Sequence, residues 1–134
     1  ISKDLGLKPD SIHQDQFSAV LHHADILSIH LPLLRETEDI ISTKELSLLK
    51  PSISIINTAR GCIVNESALH AFLSSNLDSF AAFDVYAEEP AIENPLFELQ
   101  NFFGTSHRSS LTHEGINAMG LAAIAGLDDN KILT

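Results

Sequence analysis

The chain has 134 residues, with 18 Asp and Glu against 8 Lys and Arg and a formal net charge of −10 with histidine neutral. Hydrophobic residues make up 44% and charged residues 19%, the balance of one globular domain large enough to bury a core. An acidic chain lacks the basic footprint that nucleic acid or an anionic membrane surface requires, and the longest nearly apolar run, Ala118 to Leu127, is too short to span a bilayer.

The single cysteine, Cys62, excludes an internal disulfide framework. The chain opens on Ile1 rather than Met, without a signal-peptide pattern, and is expected to be a fragment.

Phe17, Val20, Leu21 and Ala24 recur at helical spacing behind Asp15, a candidate cap. The apolar run Ile26–Leu31 follows and reads as a strand. Ser42-Thr43-Lys44-Glu45 reads as a capping box for a helix with Leu46 and Leu49 on one face, ended by Pro51. A second strand is predicted over Ile53–Ile56. Asn65 caps a further helix, whose Leu69, Phe72 and Leu73 face a core. Phe80–Val85 and Asn101–Gly104 read as the third and fourth strands, with mostly loop between Ala87 and Gln100. A last helix runs from Thr112 to about Gly126, carrying Ile116, Met119 and Ala123 on one side. Its Leu121 to Leu127 stretch reads as core or a dimer contact. Strands alternating with crossovers indicate an α/β fold with a parallel sheet.

In such sheets ligands bind outside the carboxyl ends of the strands. The first run ends His30-Leu31-Pro32 and the second Asn57-Thr58-Ala59-Arg60-Gly61. The third carries Asp84 and leads to Glu88-Glu89-Pro90. The fourth leads into Thr105-Ser106-His107. Arg60 offers a planar fork of donors that fits a carboxylate. His107 can move a proton near neutral pH, and Glu89 beside it would fix its tautomer. Such a site suits a 2-hydroxy or 2-keto acid, which has a carboxylate and an oxygen on adjacent carbons. Taken singly, Arg60 reads as a surface arginine, Glu88-Glu89 as a solvated turn and His107 as structural. Their joint placement favours a site.

These residues also carry a resemblance. Ala24-Asp25-Ile26, His30-Leu31-Pro32-Leu33, Leu49-Lys50-Pro51, Ile56 to Gly61, Glu66 with Ala68-Leu69, Phe83-Asp84-Val85, Glu88-Glu89-Pro90, Asn94-Pro95-Leu96 and Thr105-Ser106-His107 stand in one order. In that order they resemble the D-isomer-specific 2-hydroxyacid dehydrogenases. The resemblance implies a partial Rossmann-type, doubly wound parallel sheet, with residues 1–134 as part of an NAD(P)-binding domain. It implies hydride transfer between NAD or NADP and a D-2-hydroxy acid or 2-keto acid, in a cytoplasmic homodimer without nucleic-acid or membrane partners. Arg60 matches the arginine that holds the substrate carboxylate, His107 the acid/base and Glu89 its orienting carboxylate. Asp84 matches the residue that meets the nicotinamide carboxamide. Thr58 and Ala59 match the segment under the cofactor, and Leu31 and Pro32 the strand end near its adenosine side. Ser109 and Ser110 fit the small residues after the histidine, and no metal is implied.

The chain departs from the family at Ser106, usually Pro, at Arg108, usually aliphatic, and at Asn65, usually Asp. Asn65 still caps a helix, whereas Arg108 puts a cation beside His107, against a charged ring. None of the six glycines forms a G-x-G-x-x-G after a strand, so the first βαβ unit, its acidic ribose-binding residue and the substrate-side domain are expected outside this chain. A non-catalytic relative that binds nucleotide or a partner protein, and a truncated product inactive by itself, remain alternatives. His22 and His23 point to different helix faces, and Asn117 stands where a zinc-protease motif would need a second histidine after His113. His13, His30 and His70 show no partner in the sequence. Cys62 reads as buried and inert.

Overall fold

The computed structural model describes residues 14–128. The apolar runs pair side by side as β1 (Ile26–Ile29), β2 (Ser54–Asn57), β3 (Phe80–Phe83) and β4 (Phe102–Gly104), in the order β1-β2-β3-β4 with every neighbour parallel. Parallel neighbours need crossovers. They are α2 (Thr43–Leu46), α3 (Glu66–Ser75) and, between β3 and β4, a single 3₁₀ turn at Pro95–Glu98. α1 (Gln14–His23) leads into β1, and α4 (His113–Asp128) follows β4. This is the α/β class expected. The described residues start at position 14, so His13 lies outside them.

Register sets Ile29, Asn57, Phe83 and Gly104 level with one another at the carboxyl edge. Alternation along the strands divides the sheet into two unlike faces. On one face Ile29, Ile55, Ala81 and Phe83 are buried against Leu21 of α1, Leu46 of α2, Leu69 and Leu73 of α3, and Leu96. The opposite face leaves Ile26, Phe80 and Phe103 exposed.

Several boundaries differ from those read in the sequence. β1 stops at Ile29 rather than Leu31, and β3 at Phe83 rather than Val85. β2 runs one residue later than expected, over Ser54–Asn57. β4 starts at Phe102; the Asn101 side chain before it donates to the carbonyls of Leu73 in α3, Asn76 at its cap and Ser79 ahead of β3. Asp15 lies within α1 rather than before it.

α2 is a single turn. Glu45 accepts from the Ser42 N–H at 3.2 Å as the capping box requires, but Leu48 and Leu49 bond back only three residues, and the chain leaves the helix before Pro51. Leu46 and Leu49 are nonetheless both in the core. In the expected loop, the Asn94 side chain accepts from the Leu96 N–H at 3.0 Å with Pro95 at the first turn position, which caps the 3₁₀ turn. α4 is not a core helix: Ile116, Met119, Leu121 and Ile124 are all more than half exposed. Among the described residues no helix is long and apolar enough to cross a membrane.

Candidate active site

The carboxyl edge of the sheet is built by side chains that hold the loops leaving it. At the end of β2, Asn57 is buried. Its Oδ1 accepts from the Ala59 N–H at 3.1 Å, and its Nδ2 donates to the Arg60 carbonyl at 3.0 Å. This local turn presents Thr58 and Arg60 to solvent with Ala59 half-buried. One Arg60 Nη donates to the Ala59 carbonyl at 2.7 Å, which leaves the rest of the guanidinium fork available.

Gly61 follows because the chain here lies against another backbone. A β-carbon at this position would overlap the Tyr86 carbonyl and the Ala87 nitrogen. The Arg60 loop and the segment after β3 are therefore in direct backbone contact.

That segment is tied down at Asp84, Tyr86 and Ala87. Asp84 is 2% exposed and accepts from the Thr105 hydroxyl and from the Arg108 and Ser109 N–H groups, the last two at 2.8 Å each. Burial alone would raise its carboxyl. The hydrogen bonds outweigh that effect and hold it down to about 2. The Tyr86 N–H donates to Glu89 Oε1 at 3.0 Å, and the Ala87 N–H donates to Glu66 Oε1 at 2.6 Å. The Tyr86 phenol donates to the Phe83 carbonyl at 3.1 Å. Burial first, then the charges of Asp84 and Glu66, pushes it up to about 12.

After β4, the Thr105 N–H bonds the Phe83 carbonyl at 2.9 Å, so pairing continues one residue beyond the strand. His107 then takes a left-handed backbone conformation with φ 49°, uncommon for a residue with a side chain. The backbone bonds from residues 105, 108 and 109 bracket it. Its Nδ1 lies 2.8 Å from Glu89 Oε2. The bond from His107 and the one from the Tyr86 N–H lower the Glu89 carboxyl below its ordinary value. An ionised carboxylate only accepts, so Nδ1 is the donor and Nε2 is left for other chemistry. A groove of about 760 Å³ opens beside the pair, lined by Tyr86, Pro90, Ile92, Phe97 and Arg108.

The structure thus brings His107 and Glu89 into contact and joins Asp84 to the His107 loop. Arg60 stands on the neighbouring loop and makes no bond to this pair among the described residues. Leu31 and Pro32 follow β1 and are exposed, as are Ser109 and Ser110. His30, without a visible partner in the sequence, lies 2.8 Å from the Ser28 hydroxyl. Cys62 is half-buried rather than buried. Burial first, then Glu38, Asp39 and Glu66, raises its thiol. Sequence reasoning assigned no part to Asn57, Thr105, Tyr86, Glu66 or Asn94. Their signals were ordinary turn and cap residues, whose long-range partners no local pattern shows.

A parallel sheet with a histidine–carboxylate pair and an exposed arginine at its carboxyl edge makes this an α/β domain with polar side chains gathered where parallel sheets bind ligands. The chain belongs to the family of the D-isomer specific 2-hydroxyacid dehydrogenases, whose NAD-binding domain it matches over residues 2–109. It is 40% identical over 103 residues to a glyoxylate reductase of Thermococcus litoralis, covering 77% of this chain and 31% of that protein. It is 37% identical over 106 residues to a D-3-phosphoglycerate dehydrogenase of Methanocaldococcus jannaschii, covering 79% of this chain and 20% of that one. In structure it resembles the holo form of D-mandelate dehydrogenase from Rhodotorula graminis, with a TM-score of 0.80 and 26% identity, covering 95% of this chain and 36% of that one. The chain therefore spans only about a third or less of the first two relatives' length.

Proposed function

We propose that the protein carrying this chain interconverts a D-2-hydroxy acid and its 2-keto acid with NAD or NADP, and that residues 1–134 supply part of its nucleotide-binding domain. The observation that carries this reading is the His107–Glu89 pair, 2.8 Å apart at the carboxyl edge of a parallel sheet.

The edge suits a dinucleotide. Leu31, Pro32, Thr58, Ser109 and Ser110 are all exposed along it, Ala59 is half-buried, and the Thr58–Arg60 turn is fixed by Asn57. When bound, the nicotinamide supplies or takes the hydride. Asp84, with both oxygens accepting, anchors the loop that carries His107, and in this reading it is also the residue that would meet the nicotinamide carboxamide.

This chain's own residues account for the proton and the carboxylate. His107 commits Nδ1–H to Glu89, so Nε2 faces the substrate oxygen. It gives a proton to that oxygen in reduction and takes it back in oxidation. Glu89 offsets the charge of the ring while it is protonated. Arg60 keeps one donor on the Ala59 carbonyl and presents the others to the substrate carboxylate. We further read the whole protein as a cytoplasmic homodimer. One cysteine suits a reducing compartment, and the exposed apolar side chains of α4 suit a subunit or domain contact.

The test is reduction of glyoxylate, hydroxypyruvate and pyruvate with NADH and NADPH by this chain together with its flanking coding sequence. Turnover is expected with at least one keto acid, together with a loss of kcat/KM on Arg60→Ala. Absence of turnover with all three, with nucleotide binding intact, would favour a non-catalytic relative.

A further inference from the structure

Glu66 opens α3 directly after its cap, Asn65, where an acidic residue ordinarily serves the helix dipole. Here its oxygens are engaged elsewhere. Oε1 accepts from the Ala87 N–H at 2.6 Å, and Oε2 accepts from the Asn94 side-chain amide at 2.6 Å. These two partners bracket the segment that carries Glu89. Within it, Glu89 reaches back to the Tyr86 N–H and across to His107. Gly61 seats the Arg60 loop on the backbone of Tyr86 and Ala87. Glu66 is therefore the side chain through which the start of α3 grips both ends of the Glu89 segment.

We propose that Glu66 and Asn94 are positioning residues for the acid/base pair: their clamp on the 87–94 segment sets Glu89 so that it holds the Nδ1–H tautomer of His107. This rests on the reading of His107 as the proton-transfer residue. The clamp has a directional pattern that substitution can invert. Gln at 66 keeps an acceptor for Ala87 but turns a donor toward the Asn94 amide. Asp at 94 turns a second carboxylate toward Glu66. In E66Q/N94D the Gln amide donates to the new carboxylate, whose other oxygen still accepts from the Leu96 N–H.

The experiment is ¹⁵N NMR of the His107 ring in the full chain at alkaline pH, above the ordinary imidazole range. The wild-type ring is expected mainly as the Nδ1–H form. E66Q and N94D should each lower the ratio of Nδ1–H to Nε2–H by roughly tenfold, the scale of one lost charge-assisted hydrogen bond. E66Q/N94D should restore it. Single variants that melt earlier yet keep the wild-type ratio, or a double variant no better than either single, would overturn the proposal. If a single variant fails to fold by circular dichroism, N94A gives the same reading. A lowered ratio upholds the clamp, and an unchanged one overturns it. The ring signal needs no turnover, so failure of the keto-acid assay would count against the functional reading alone.

Discussion

At the scale of single residues, the proposed chemistry rests on the 2.8 Å bond between His107 and Glu89 and on the Asp84 anchor of the His107 loop. His107→Gln removes the proton donor and should lower kcat/KM for keto-acid reduction by about 10²–10⁴. Steady-state kinetics with NADH check this. Asp84 makes a separate prediction about stability. Its carboxyl has an ordinary value of 3.8 and is held at about 2 in the fold, so its contribution is present above about pH 4 and is lost as pH falls through about 2. The gap corresponds to about 2 kcal/mol, since each unit is worth about 1.4 kcal/mol. Denaturant midpoints measured between pH 6 and pH 2 should therefore fall on acidification, and Asp84→Asn should flatten that fall. An equally steep acid loss in the variant would remove Asp84 as its cause.

At the scale of elements, the site depends on loops that touch where no sequence pattern announces it. Gly61→Ala is expected to destabilise the chain by about 2 kcal/mol or more, because the added methyl has only the Tyr86–Ala87 backbone to meet. Urea melts check this, and Ala at Gly120, where an added β-carbon meets nothing, is the control. The same contact shows what was legible beforehand. The four strands were visible because β-branched and aromatic runs advertise themselves locally. Asn65 was legible as a cap because its partner, Ala68, is three residues away. Arg60, Glu89 and His107 stood out by residue type at strand ends. Glu66, Asn94 and Thr105 were legible only as pieces of the resemblance, without a role, because their partners lie 21 to 28 residues distant. The early ends of β1 and β3 were equally hidden: apolar runs continue into Leu31 and Val85, and only hydrogen bonding decides where pairing stops. α2 misled for a related reason. Leu46 and Leu49 have helical spacing, yet a turn with three-residue bonds buries them both.

At the scale of the whole molecule, the sheet is unevenly dressed. One face carries the core, built from α1, α2, α3 and the 3₁₀ turn. On the other, Ile26 is 65% exposed and Phe103 58%. Parallel sheets are normally covered on both faces. β1 also stands at the end of the strand order, so its outer backbone groups have no neighbouring strand among the described residues. Both features favour association of the isolated 134-residue chain with itself. Sedimentation of that chain should show concentration-dependent oligomers, and Phe103→Lys should shift them toward monomer. The substituted side chain lies on the uncovered face, outside the buried cluster, so the melting temperature should change little. If the variant lost its melting transition along with its oligomers, Phe103 would belong to the folding core and the uneven sheet would not be the cause. If it kept both unchanged, association would run through α4, whose Leu121 and Ile124 are also exposed, and Leu121→Lys would then be the variant that separates the copies.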